Sequence, residues 1–503
     1  MHIDEVLRGV GLVRRAGPPV EVSTIEYDSR RTRACSLFVA MQGGTTDGNR
    51  YIASAMERGA SAVVTDSAMA FQDTAAKHPQ IAVAEVVHGR SALAVIAANY
   101  FGHPEKKLAL SGVTGTNGKT TTAFLLDAML NSVGRKTVLV GTIEYHVAGE
   151  VVESPHTTPE SRDLLELLAK GVSAGATEAV MEVSSHALEQ RRVWSLPFDV
   201  AIFTNLTRDH LDYHGTMEAY FAAKRMLFDG SNGAVPRVSV INADDTYGAE
   251  LAIQAREAGS EIFSYGLDTG EFRAESVRMS AAGMEFTLIA PAGSVVLQTR
   301  LTGKVNVYNL LGASAAAYAR GLTLDEIVVG VASLECVLGR FQTVNVGQSF
   351  AVAVDYAHTD DALRNLVMLA REFVKPVNGR VITLFGCGGD RDRTKRPLMG
   401  RAAGEGSDFV VLTSDNPRSE EPETILRDVL PGLEATGVRF TTEPDRAKAI
   451  QIAIEQASPG DIVLLAGKGH EKTQTLSDRV IPFDDVEVVA NALRTLVQAG
   501  ERR

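Results

Sequence analysis

Short, continuously apolar runs separated by amphipathic helical stretches recur along the whole chain, and this alternation restricts the fold more than any other feature. The runs at 108–113, 137–140, 179–183, 200–203 and 238–241 lack the in–out pattern of a sheet with one wet face. They predict parallel strands covered on both sides. Runs at 37–40 and 62–64 precede them, and runs at 351–354, 381–385, 409–412 and 462–465 follow. Strand–helix alternation of this kind is α/β architecture. A chain of 503 residues exceeds one hydrophobic core and divides into about three domains. Gly102-His103-Pro104 breaks the helical stretch 91–100, while Leu338-Gly339-Arg340 follows a β-like stretch at 273–302 and a helix read from Tyr308. The expected domains are 1–104, 105–337 and 338–503.

Composition narrows the partners. Fifty Lys and Arg against 62 Asp and Glu leave a net charge of −12, which argues against a general nucleic-acid or membrane-surface binder. Small anionic ligands need only a local pocket and stay open. Cys35, Cys336 and Cys387 are dispersed and form no Cys-x-x-Cys pair, which suits a reducing compartment and not a disulfide framework. The N-terminus is acidic where a signal peptide would be basic and then apolar. The longest uncharged run, 305–319, falls short of the ~20 residues needed to cross a bilayer. A cytoplasmic, monomeric protein with no membrane or nucleic-acid partner is expected.

In open α/β sheets, ligands bind beyond the carboxyl ends of the strands. After the run 108–113 stands Thr114-Gly115-Thr116-Asn117-Gly118-Lys119-Thr120-Thr121-Thr122, then an apolar helix. Glycines let backbone N–H groups wrap a phosphate, Lys119 can reach terminal phosphates, and Thr120 can hold Mg²⁺. Val113 stands where the strict phosphate-loop pattern has Gly, so the loop is a variant. Glu182 interrupts an apolar run in Met181-Glu182-Val183-Ser184-Ser185-His186, so it either pairs with a buried Arg or faces a cation. The run 200–203 leads into Asp209-His210-Leu211-Asp212, a cluster suited to metal or phosphate chemistry. Lys224 lies on the apolar face made by Tyr220, Phe221, Leu227 and Phe228. It reads either as a snorkelling lysine at the rim or as a desolvated amine left neutral and reactive.

The third series ends its strands on Asp355-Tyr356-Ala357-His358, on a Gly-rich segment with Asp390, Arg391, Asp392 and Arg393, on Asp415-Asn416-Pro417-Arg418, and on Gly467-Lys468-Gly469-His470-Glu471. Four ionisable strand ends on one sheet edge make a site. Their mixed signs predict a zwitterionic ligand, with Arg for a carboxylate and Asp or Glu for an ammonium.

Taken together, these segments resemble the Mur ligases of peptidoglycan synthesis over essentially the whole chain. The resemblance implies three domains: one for the UDP-substrate, a central ATPase domain, and a Rossmann-like C-terminal domain. It implies ATP, with Gly115, Thr116, Asn117, Gly118, Lys119, Thr120, Thr121, Asn309, Arg340 and Asp355 around it. Tyr27, Ser29, Gly44, Thr45 and Thr46 would hold the uridine end of UDP-MurNAc-L-Ala-D-Glu, and Thr157, Thr158, Ser184, Gln190 and Arg192 its muramoyl-peptide part. Thr120, Glu182, His210 and Lys224 would organise Mg²⁺, with Lys224 carrying a carbamate derived from CO₂. Lys119, Glu182, His210 and Lys224 are the implied catalytic set. Arg391, Asp415, Asn416, Pro417, Arg418, Gly467 and Glu471 would take meso-diaminopimelate. The implied reaction is ATP-dependent amide-bond formation through an acyl phosphate. Two positions depart from the family pattern: Asp360 replaces a Pro, and Gln342 a Glu. A folylpolyglutamate synthetase, a lysine-adding ligase and a nucleotide-driven switch or transport ATPase are the competing readings.

Overall fold

The computed structural model describes residues 1–44, 46–280 and 283–501; Thr45 lies outside the described residues. Among the described residues three large sheets carry the chain, with a small antiparallel pair, Thr473–Thr475 and Val480–Pro482, beside them in sequence. The first orders its strands Leu12–Ala16, Ala82–Val86, Ala60–Thr65, Ser36–Ala40 and Thr24–Glu26, parallel except for the outer Leu12–Ala16. The second has 11 strands. Its parallel centre runs Glu261–Gly266, Val238–Asn242, Phe198–Phe203, Ala109–Thr114, Glu178–Glu182 and Thr137–Val140. Phe272–Ser280 joins Glu261–Gly266 in parallel, and antiparallel strands extend the sheet beyond it and at the opposite edge. The third sheet runs Gln342–Thr343, Ala351–Asp355, Ile462–Ala466, Val381–Phe385, Phe409–Thr413 and Arg439–Glu443, parallel apart from its short first strand.

Burial explains the apolar runs. All residues of Glu178–Glu182, Val238–Asn242, Val381–Phe385 and Ile462–Ala466 are buried, because helices cover both faces of these strands. Under the central sheet, helix Lys119–Ser132 packs Leu125, Leu126 and Met129 against Leu310, Leu311 and Ala313 of helix Lys304–Ala319. Each such leucine contributes roughly 1.5–3 kcal/mol by leaving water. That second helix starts one turn before Tyr308: Gly303, at φ +94°, sets the entry. Among the described residues no helix is long and apolar enough to cross a membrane.

Strand order places the site. The chain leaves Ala109–Thr114, crosses to Thr137–Val140, fills the gap with Glu178–Glu182, and then continues on the other side at Phe198–Phe203. Such a reversal opens a crevice at the carboxyl end of the first strand. The two unusual residues fit locally. Asp360 occupies the first position of helix Asp360–Val374, capped by Thr359, where an acidic side chain suits the helix dipole as a Pro suits the backbone. Gln342 accepts a hydrogen bond from the Gly339 N–H at 2.9 Å through its Oε1.

Candidate active site

The loop after Ala109–Thr114 closes tightly. Gly115 has φ +149° and Gly118 φ +85°; a Cβ at Gly118 would meet Asn309 Oδ1 at 2.3 Å. Glycine is therefore required where the loop approaches the buried helix Lys304–Ala319. Lys119 turns back on the loop, its Nζ donating to the carbonyls of Gly115 at 3.0 Å and Thr116 at 2.9 Å. Burial lowers its pKa, against the pull of Glu182 and Asp209. Thr116 Oγ1 donates to the Thr207 carbonyl at 3.1 Å, and Thr121 is buried in the first turn of the helix.

Glu182 finds hydroxyls and a backbone amide, not a buried arginine. Its Oε2 accepts from Thr120 Oγ1 and Thr142 Oγ1, both at 3.1 Å, and its Oε1 accepts from the Thr142 N–H at 2.7 Å. Thr142 Oγ1 also lies 3.1 Å from Thr157 Oγ1. A carboxylate and a hydroxyl beside a phosphate loop are the hard oxygen donors that suit Mg²⁺, which takes few protein ligands when phosphates supply the rest. Among the described residues, no group of three His, Cys, Asp or Glu side chains is placed to hold a metal by itself. His210, at φ +54°, turns its Nε2 to Asp209 at 3.4 Å. Burial lowers the His210 pKa, against the pull of the neighbouring Asp209.

Lys224 is 1% exposed. Its Nζ donates to the Gly115 carbonyl at 2.7 Å and stands 4.4 Å from the centre of the Tyr220 ring. Burial first, and then the charge of Lys119, push its pKa well below the ordinary lysine value. The rim alternative is thereby removed: this amine sits inside the site.

Two interdomain contacts close on the loop. Asn117 Nδ2 donates to Asp361 Oδ2 at 3.0 Å, and Arg340 donates to Thr120 Oγ1 at 2.9 Å while lying 5.0 Å over the Tyr356 ring. Asp355 anchors the turn after its strand, accepting from the N–H groups of Phe341 at 2.7 Å and Ala357 at 2.8 Å. Asn309 is buried and donates to Asn306 Oδ1 at 2.9 Å.

A cavity of about 390 Å³ is lined by His186, Asp209, His210 and Asp212 from the central domain. The third domain supplies Arg391, Asp415, Asn416, Arg418, Gly467 and Glu471. Arg418 adopts φ +52° after Pro417, and its guanidinium donates to the Gly389 carbonyl at 2.8 Å. Asn416 Nδ2 donates to Glu471 Oε2 at 2.8 Å. Burial raises the Asp415 pKa, and its buried Oδ1 has no hydrogen-bond partner. Behind these loops the fully buried Arg446 pairs with Asp485 at 2.6 Å and donates to the carbonyls of Ser414 and Ala466, the residues just before Asp415 and Gly467.

The muramoyl-peptide candidates cluster at the edge of this crevice. Thr158 Oγ1 accepts from the Ser184 N–H at 3.1 Å, and Arg192 donates to the Thr158 carbonyl at 2.9 Å and to Gln190 Oε1 at 2.8 Å. Tyr27 sits on the first domain and donates to Asp163 Oδ2 at 2.6 Å. Ser29 is buried in a 3₁₀ turn, while Gly44 and Thr46 are exposed. None of these four is hydrogen-bonded to the phosphate loop. Thr142 and Asp361 escaped the sequence reading. The first stands two residues past a strand end, where the strand-end rule would have found it. The second reads from sequence as a helix-start acid, and only the fold brings it to Asn117.

Family descriptions match nearly in full: residues 21–101 as the Mur ligase family catalytic domain, 113–317 as the Mur ligase middle domain, and 339–469 as the Mur ligase glutamate ligase domain. The chain belongs to the Mur ligase family, a family of ATP-dependent ligases. It is 50% identical over 498 residues to the UDP-N-acetylmuramoyl-L-alanyl-D-glutamate--2,6-diaminopimelate ligase of Solibacter usitatus (strain Ellin6076), covering 98% of each chain. The ligase of the same name from Geobacter metallireducens (strain ATCC 53774 / DSM 7210 / GS-15) is 42% identical, with 100% of both chains covered. A solved structure of a UDP-N-acetylmuramoyl-L-alanyl-D-glutamate--2,6-diaminopimelate ligase superposes with a TM-score of 0.66 at 33% identity, over 94% of this chain and 95% of that one. The MurF ligase from Thermotoga maritima, solved in complex with ADP, shares the fold at TM-score 0.64 and 18% identity, over 95% and 98%.

Proposed function

We propose that this protein adds meso-diaminopimelate to UDP-MurNAc-L-Ala-D-Glu at the expense of ATP, in the cytoplasmic stage of peptidoglycan synthesis. The observation that carries the reading is the cavity that has Asp209 and His210 on one wall and Asn416, Arg418 and Glu471 on the other. Residues 1–104 would hold the UDP end, 105–337 the ATP, and 338–503 the amino acid.

The γ-phosphoryl group of ATP passes to the D-glutamyl γ-carboxylate: the bond to ADP breaks, the bond to the carboxylate oxygen forms, and an acyl phosphate results. Lys119 leaves its loop carbonyls to neutralise charge on the transferring group. Thr120 and Glu182 would hold Mg²⁺, with His210 nearby; when bound, the ion supplies further charge neutralisation at the phosphates. Lys224, whose pKa burial pushes well below the ordinary lysine value, would add through its neutral amine to CO₂ and lose one proton, giving a carbamate that would be a hard oxygen donor beside that site. The acceptor ammonium gives one proton to solvent, its nitrogen bonds to the acyl carbon, and the adduct gives a second N–H proton to solvent as the carbon–oxygen bond to phosphate breaks, leaving the amide and inorganic phosphate. Asn309 and Arg340 flank the nucleotide, and Arg391 and Arg418 offer paired donors to the acceptor carboxylates.

ADP release measured with purified protein tests this. It should require both the UDP-dipeptide and meso-diaminopimelate. ADP release that is indifferent to the amino acid would favour a nucleotide-driven switch, and a folate acceptor would favour a folylpolyglutamate synthetase.

A further inference from the structure

The loop after Ile462–Ala466 holds a charge that this mechanism leaves unused. The Lys468 side chain is 0% exposed, so it touches no ligand. A buried ammonium is retained only with partners, and all of its partners belong to the acceptor loops. Its Nζ donates to Glu471 Oε2 at 3.0 Å and to Asn416 Oδ1 at 3.3 Å, and lies 3.8 Å from Asp415 Oδ1. Asn416 donates to the same oxygen of Glu471, so Oε2 is held twice. Oε1 has no hydrogen-bond partner among the described residues, and Glu471 lines the cavity. One oxygen is thus fastened and the other left for a ligand.

We propose that Lys468 is a positioning residue for the amino-acid acceptor: it fixes Glu471 with Oε1 available to an ammonium group, and its charge offsets one of the two carboxylates, Asp415 and Glu471, that share the pocket. The inference rests on the ligase reading above, since the ammonium is that of the acceptor. Without Lys468, Glu471 keeps a single tether and two carboxylates face each other without a buried counter-cation. Both changes blur the pocket's match to a ligand of alternating charge.

A double-mutant cycle tests this in the full-length enzyme. Lys468→Met should raise the KM for meso-diaminopimelate tenfold or more, with the KM values for ATP and the UDP-dipeptide within twofold of wild type. In the Glu471→Gln background the same change should add less than threefold, because Lys468 acts through Glu471. A folded Lys468→Met enzyme with an unchanged acceptor KM overturns the proposal, as do effects that simply multiply. Lys468→Gln carries the same expectation; if neither variant folds, Lys468 serves stability alone and the proposal fails. The ligase reading fails separately: wild-type protein would then not use meso-diaminopimelate, while the cycle, run with whichever acceptor it does use, would still report on Lys468.

Discussion

The phosphate loop and the third-domain loops proposed to take the acceptor are made of different material. The phosphate loop is backbone: two glycines at positive φ, a helix N-terminus, and a lysine folded onto its own carbonyls. The acceptor side is a lattice of side chains from separate strand ends, in which Asn416, Lys468 and Glu471 bond one another and Arg446 steadies the carbonyls behind them. A backbone cradle recognises what all phosphates share. A side-chain lattice reads charge and shape.

Four substitutions sharpen that contrast. The largest effect belongs to Lys119→Ala, which removes the one cation supplied by the cradle. Turnover should fall about 10⁴-fold, with little change in Tm because its hydrogen bonds stay within the loop. A loss below tenfold in steady-state ADP release would place the transferring phosphoryl group elsewhere.

Arg418→Ala strikes the other side. A desolvated bidentate pair with carboxylate is worth ~2–5 kcal/mol, or about 30-fold to several-thousand-fold in acceptor binding. The loss should fall on the acceptor KM, and titrations of ATP and the UDP-dipeptide should match wild type. Equal weakening of all three ligands would make Arg418 a structural residue.

Lys224→Ala should cost about 100-fold in turnover while binding of the UDP-dipeptide persists, and small carboxylic acids should restore part of the rate. The sign of the pH dependence follows from the depressed pKa. Carbamate forms from the neutral amine and releases a proton, so CO₂ depletion should reduce activity more at pH near 6 than near 8. Full activity of the alanine variant without added acid would exclude the carbamate.

The smallest effect is at Gly118. Its conversion to Ala places a Cβ 2.3 Å from Asn309 Oδ1 at φ +85°. The positive φ alone costs about 1–2 kcal/mol. A lower Tm and about tenfold weaker ATP binding are expected, and Asn309→Ala should relieve the steric part. An unchanged Tm for the single variant would mean that the loop has room.

The same contrast governs what the sequence made legible. The cradle is contiguous, so Gly115 to Thr120 announce it, and most interior strands show as apolar runs; Ala82–Val86, buried throughout but carrying Glu85, and Glu261–Gly266 do not. The acceptor ionisable clusters were legible one by one, as strand ends. Their mutual bonds were not, because Asn416 and Glu471 lie far apart in the chain. Edge strands were missed for a physical reason. Leu12–Ala16 is almost wholly exposed, and Arg439–Glu443 is only partly buried, so neither needs an apolar run. Lys224 was ambiguous until the Gly115 carbonyl appeared beside it.

Competition between acceptors tests the central claim most directly. Wild-type protein is given ATP, UDP-MurNAc-L-Ala-D-Glu and equal concentrations of meso-diaminopimelate and L-lysine, and the products are separated by mass. The two acceptors differ by the carboxylate that Arg418 would grip, and lysine would leave that guanidinium unpaired. The diaminopimelate product should exceed the lysine product by at least about 30-fold. Equal incorporation of lysine would contradict both the assigned substrate and the role given to Arg418.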